Sequence, residues 1–143
     1  MSGLIRMSEG AALAIHACAL LAQDAGRRQS ASELAEALDA SEHHLAKVLH
    51  RLVQAGLLES VRGPGGGVRL KRRADRLRLI EIYKAVDGAW PKSACLFDRP
   101  VCKGRGCVMG RALKEADALL KKHLSDTTLD DVAKTYKAGV PNA

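Results

Sequence analysis

Three cysteines, Cys95, Cys102 and Cys107, fall within a thirteen-residue stretch. Thiolates are soft donors, and three so closely spaced suit an iron–sulfur cluster, a zinc ion or thiol redox chemistry. The fourth cysteine, Cys18, stands alone in an apolar segment and reads as a small buried hydrophobe. A disulfide framework would spread an even number of cysteines along the chain, so the cluster points to a reducing compartment, the cytoplasm. Catalysis is a poor fit. The chain has no Cys-x-x-Cys pair, no cofactor-binding glycine fingerprint ahead of a helix and no convincing acid–base pair. It does not read as an enzyme.

The second kind of chemistry is cationic. The 143 residues carry 23 Lys and Arg against 16 Asp and Glu, a net charge of +7, which favours a polyanionic partner, with nucleic acid ahead of a membrane surface. Only four aromatics occur, Tyr83, Trp90, Phe97 and Tyr136, too few to stack the bases of a single strand. The expected partner is double-stranded DNA. No membrane association is expected, since the longest apolar stretch, Ala11 to Ala22, is interrupted by His16 and is too short to span a bilayer. The same stretch behind Arg6 lacks the small-residue cleavage site of a secretory signal, because Gln23-Asp24 follows it.

The elements that would position these groups are mainly helical, with one small β-hairpin. Ser8 caps a first helix running to Gln23, and Asp24-Ala25-Gly26 stops it. A short helix over Ser30–Leu38, a turn at Asp39-Ala40-Ser41 and a helix from Glu42 to Ala55 form a helix-turn-helix. In the last of these, Leu45, Val48, Leu49 and Leu52 make one stripe. His43, Lys47, His50 and Gln54 make the opposite one, with Arg51 beside them. Ser41 and His44 at its start join the candidate DNA contacts, although such a face is also what an ordinary solvated helix shows. Two strands, Leu57–Arg62 and Gly67–Arg72, flank Gly63-Pro64-Gly65-Gly66 and make a basic wing. In it Arg62 and Arg69 reach phosphate or the minor groove, and Gly65 and Gly66 allow close backbone approach. Lys71-Arg72-Arg73, Arg76 and Arg78 continue the basic run.

Residues 1–88 therefore form a winged helix-turn-helix, ending in a helical stretch from Leu79 to Val86. Residues 89–107 form a cysteine-containing loop without periodicity. Residues 108–136 form a long amphipathic helix, Val108 to Leu124, and a short helix capped at Thr127-Thr128. Met109, Ala112, Leu113, Ala116, Leu119 and Leu120 share one side of the long helix, which suits a second subunit. The end from Lys137 is expected to fray.

The segments Ala31-Ser32-Glu33-Leu34-Ala35, Leu45-Ala46-Lys47-Val48-Leu49 and Gly56-Leu57-Leu58-Glu59-Ser60-Val61-Arg62-Gly63-Pro64-Gly65-Gly66-Gly67 resemble the Rrf2 family of bacterial winged-helix transcriptional regulators. Val86-Asp87-Gly88, the three-cysteine loop and Thr127-Thr128-Leu129 continue the likeness, which spans roughly Met7 to Val132. The resemblance implies a homodimeric repressor on a palindromic operator, joined through the long helix. It also implies a 2Fe–2S or 4Fe–4S cluster on Cys95, Cys102 and Cys107, sensing iron, redox state or nitric oxide. Relatives without a cluster leave open a thiol sensor, and three cysteines with a histidine also satisfy zinc. Two departures stand out. The loop is C-x6-C-x4-C where the family has C-x5-C-x5-C, displacing Cys102 by one place. At the first-helix position where some relatives supply an acidic ligand from the partner subunit stands Ala12. His16, one turn on, matches a first-helix histidine that ligates in some relatives and is the first candidate for the fourth ligand. Glu9, one turn before, is the second. As an isolated histidine in an apolar helix, His16 also reads as a packed core residue.

Overall fold

The computed structural model describes residues 7–91, 95–97 and 107–136. Cys102, with residues 92–94 and 98–106 of the cysteine loop, and the expected frayed end lie outside the described residues. Helix α1 (Glu9–Gln23) begins where Ser8 Oγ accepts a hydrogen bond from Ala11 N at 3.0 Å. It is lined with small residues, and Ala11, Ala14, Ala17, Cys18 and Ala19 are all fully buried. Such side chains let neighbouring helices approach closely, and α2 (Ala31–Leu38), α3 (Glu42–Gln54), α4 (Leu79–Asp87) and α6 (Leu129–Thr135) all pack on α1.

Helix α2 starts in a capping box, with Ser30 Oγ accepting from Glu33 N and Glu33 Oε2 accepting from Ser30 N. Asp39, at φ 50°, ends it in the left-handed conformation that a short polar side chain tolerates. Ser41 then caps α3, whose Leu45, Val48, Leu49 and Leu52 are buried as the stripe demands.

Strands β1 (Leu58–Val61) and β2 (Gly67–Leu70) pair antiparallel, with Glu59 opposite Arg69 and Val61 opposite Gly67. β1 is one residue shorter at each end than the sequence suggests, and β2 starts at Gly67 as expected but ends two residues early. The hairpin is not freestanding. Gln29, just ahead of α2, exchanges backbone hydrogen bonds with Val68 at 3.0 and 2.9 Å, tying the wing to the helix-turn-helix. Gly67 makes this possible at φ 147°, because a Cβ there would lie 2.5 Å from the Gln29 carbonyl oxygen.

Helix α5 (Val108–Asp126) carries Cys107 as its N-cap. Its C-terminal end is locked to the winged-helix body. Leu79 N donates to Thr127 O at 3.1 Å, Leu129 N to Leu77 O at 2.8 Å, and Arg78 Nη1 to Asp126 O at 2.8 Å. Leu124 and Leu129 join the same core as α1 and α4, so the C-terminal elements fold back on the N-terminal ones. Along the rest of α5 the apolar side stays open, with Val108 71%, Met109 46% and Leu119 70% exposed. No helix among the described residues is long and apolar enough to cross a membrane.

Two outcomes follow from this packing. Gly67→Ala should destabilise the protein by about 1–3 kcal/mol, the range for a side chain forced into such backbone geometry, read as a lowered thermal midpoint. Burial pushes the Cys18 thiol up from its ordinary value of 9.0 to about 12. The thiol is neutral in the folded core, so its contribution to stability is complete below about pH 9 and is lost as pH rises toward 12. Mass spectrometry after iodoacetamide treatment of the native protein at pH 8 should therefore find Cys18 unmodified.

Candidate nucleic-acid interface and cysteine site

The recognition face forms as its periodicity predicts. His43, Lys47, His50 and Gln54 are exposed along α3, and their opposite stripe is buried. Ser41 Oγ accepts from His44 N at 3.3 Å, leaving its hydroxyl proton available to an acceptor such as phosphate. His50 lines a 260 Å³ recess between α3 and the wing, with Ser60 and Val68 across it. On the other flank, His44 and Lys47 line a 420 Å³ groove with Ser8, Glu9, Arg51 and Asp87.

Arg51 departs from the DNA-facing role expected of it. Its Nη1 donates to the Val86 carbonyl at 3.1 Å, so the guanidinium is held against the end of α4. Nearby, the Asp87 carboxylate accepts from both Ser8 N, at 3.1 Å, and Ser8 Oγ. The segment Val86-Asp87-Gly88 thus joins the recognition helix to the start of α1.

The wing differs too. Arg69 forms an ion pair with Glu59 across the hairpin, whereas Arg62 is exposed and has no ion pair among the described residues. Gly65 (φ 73°) makes the exposed tip, and a Cβ on Gly66 would meet the Val61 carbonyl oxygen at 2.3 Å. The basic run after the wing is largely committed to the protein itself. Arg72 bonds Glu81 at 2.7 Å and the Arg76 carbonyl at 3.1 Å, Arg73 bonds Asp75 at 2.7 Å, and Arg78 holds the end of α5. The guanidinium of Arg73 accordingly keeps the Asp75 carboxyl below its ordinary range.

At the cysteine site, Cys95 is half-buried and Cys107 exposed. The Cys107 sulfur accepts from Gly110 N at 3.3 Å at the positive end of α5, where backbone donors favour an electron-rich sulfur. His16 is not a core residue. It is exposed, edge-on to the Tyr136 ring at 5.1 Å, and its Nδ1 lies 2.7 Å from the Ala12 carbonyl. A carbonyl only accepts, so Nδ1 carries a proton and Nε2 is left facing outward. Glu9 lies in the groove beside Lys47 and Arg51.

Contacts that escaped the sequence include the Gln29–Val68 bridge, the Glu59–Arg69 pair, and a hydrogen bond from Trp90 Nε1 to the Asp117 carboxylate at 2.9 and 3.0 Å. The one hint available was the opposite charge of Glu59 and Arg69 at matching distances from the hairpin tip.

A helix-turn-helix with an outward cationic stripe, followed by a glycine-tipped hairpin bonded to it, defines a winged-helix protein. The Rrf2 family model, described as an iron-dependent transcriptional regulator, matches residues 7–135, and the chain belongs to that family of transcriptional regulators. Among relatives, the HTH-type transcriptional regulator NsrR of Bacillus subtilis is 32% identical over 123 residues, covering 80% of each chain. BadM of Rhodopseudomonas palustris is 42% identical over 78 residues, but the match covers 54% of this chain and only 50% of BadM. Among solved structures, CymR, the global cysteine regulator of B. subtilis, superposes with a TM-score of 0.77 at 23% identity, covering 93% of this chain and 99% of CymR. IscR of T. potens gives a TM-score of 0.69 at 24% identity, with 91% and 87% covered. These superpositions establish the fold. The family consists of regulators, not enzymes.

The two cation sets should separate in binding assays. Lys47→Ala should weaken the preferred duplex by about 1–3 kcal/mol and random duplex less, if it reaches a base edge. Arg62→Ala should weaken all duplexes alike and reduce the salt dependence by about one counterion. Arg69→Ala, removing a cation already paired with Glu59, should change binding less than Arg62→Ala. Fluorescence anisotropy over a salt series reads all three.

Proposed function

We propose that this protein is a cytoplasmic, sequence-specific DNA-binding repressor that acts as a homodimer on a palindromic operator. In this reading Cys95, Cys102 and Cys107 hold an iron–sulfur cluster that senses iron, redox state or nitric oxide. The observation that carries the DNA reading is the α3 surface, where Lys47, His43 and His50 face solvent over a buried leucine stripe, with Arg62, which has no ion pair among the described residues, exposed on a wing bonded to the same unit. DNA contacts are assigned to Ser41, His43, His44, Lys47, His50 and Arg62 and to the glycine tip at Gly65 and Gly66. Arg51 and Arg69 contribute by holding the helix and the wing in place.

The donor set suits the cluster. It offers three thiols, one of them at a helix N-terminus with an amide aimed at its sulfur, and an exposed histidine whose Nδ1 is already engaged. When bound, such a cluster supplies reversible electron transfer and reactivity toward oxidants and nitric oxide. This chain's part is to hold it by Cys95, Cys102 and Cys107, with His16 of a second copy as the fourth donor. Glu9 ranks behind His16, which matches a first-helix histidine that ligates in some relatives. The open side of α5 supports the dimer, since three large apolar side chains there are between 46% and 71% exposed.

Protein purified without oxygen should be brown and bleach in air, and each of Cys95→Ser, Cys102→Ser and Cys107→Ser should lose iron. His16→Ala should keep iron but shift the visible spectrum. A colourless protein with full operator affinity would mean a thiol sensor, and zinc content without colour would mean a zinc site. Leu119→Glu tests the dimer. Two-fold symmetry counts twice the loss of a buried leucine, about 1.5–3 kcal/mol each, so sedimentation should show monomers. Leu120 is a poorer probe because it packs against its own subunit's core.

A further inference from the structure

Helix α5 is held at two places of different character. Its C-terminal end is locked by the backbone and Arg78 hydrogen bonds around Asp126–Leu129. Nine residues earlier, about 13 Å along the axis, Asp117 receives the Trp90 indole N–H on both carboxylate oxygens. Beyond Asp117 the helix runs about another 15 Å to Cys107 at its N-cap. A tilt of about 10° at the locked end would carry that N-terminus through about 5 Å.

Trp90 is itself anchored in the winged-helix body. Its ring lies 4.8 Å from that of Tyr83, a buried residue of α4. The last turn of α4 accepts the Arg51 guanidinium of the recognition helix at Val86 O, and Asp87 accepts from Ser8, the N-cap of α1. A continuous set of directional contacts therefore runs from α3 through the end of α4 and Trp90 to the middle of α5. The contact's two halves bracket the cysteines in sequence, since Cys95 follows Trp90 by five residues and Cys107 precedes Asp117 by ten.

We propose that the Trp90–Asp117 hydrogen bond is a positioning contact that sets the angle of α5 against the winged-helix body, and thereby the separation of the two recognition helices on DNA. This rests on the dimeric DNA-binding reading above. Trp90 and Asp117 need not touch DNA. They act through α4 and α5, and a charge-assisted bond to a half-buried carboxylate is directional enough to fix one angle among several.

The test uses full-length protein and an operator selected from random duplexes by the wild-type protein. Anisotropy then compares that operator, the same operator with one base pair inserted between half-sites, and an isolated half-site. Asp117→Leu should lose about tenfold affinity for the selected operator, the scale of one hydrogen bond to a charged group. It should also lose most of the discrimination against the inserted base pair, while binding the isolated half-site as wild type does. Asp117→Asn, whose carboxamide oxygen still accepts from the indole, should restore the spacing preference. Trp90 is the sole tryptophan, so its emission should shift in Asp117→Leu and return in Asp117→Asn. If Asp117→Leu does not fold by circular dichroism, Trp90→Phe removes the donor while keeping an aromatic ring. A folded variant that retains wild-type spacing preference, or loses half-site and operator binding in equal measure, would overturn the proposal. Wild-type protein indifferent to half-site spacing would instead overturn the dimeric reading, and this contact's role with it.

Discussion

The small side chains of α1 set the terms for everything around them. A helix that α2, α3, α4 and α6 all pack against cannot carry leucines on every side, since interhelical distances of about 8–10 Å leave room for little beyond alanine where several neighbours converge. Ala11, Ala14, Ala17, Cys18 and Ala19 meet that constraint and are fully buried. Enlarging any one of them would displace a helix rather than a side chain, because close-packed interiors transmit strain. The recognition helix is among those neighbours, so the orientation of the DNA-facing surface is decided partly at the opposite side of α3, by methyl groups.

Polar contacts then convert that packing into one arrangement. Val86-Asp87-Gly88 receives Arg51 from α3 and Ser8 from α1, while Gln29 and Val68 join the wing to the start of α2. These bonds lie at element ends, where unpaired backbone groups and helix termini would otherwise need solvent. The body that would approach DNA is thus tied at its joints as well as filled at its centre.

Much of this was legible because it is local. The caps at Ser8 and Thr128 and the leucine stripe of α3 depend on spacings of three or four residues, and all formed as the sequence suggests. The roles of individual cations were less legible. Whether Arg69 meets phosphate or Glu59 depends on hairpin register, and Arg51's attachment to Val86 joins positions 35 residues apart. The Trp90–Asp117 bond crosses 27 residues and the cysteine loop. The solitary His16 pointed toward the interior, yet it lies at the surface, edge-on to Tyr136. Such outcomes depend on distances that periodicity does not encode.

The intramolecular pairing of arginines bears on how a regulator of this kind would search a genome. Arg27, Arg69, Arg72 and Arg73 each face a carboxylate of their own chain. On α3 and the hairpin, the charge available to phosphate is concentrated on Lys47 and Arg62, since Arg51 is held at the Val86 carbonyl and Arg69 by Glu59. Loosely held encounters with arbitrary sequence would then be brief, since their lifetime grows with the number of counterions displaced. Search would proceed more by dissociation and return than by long one-dimensional sliding. Residence at the correct site would fall to shape and base contacts instead of bulk attraction.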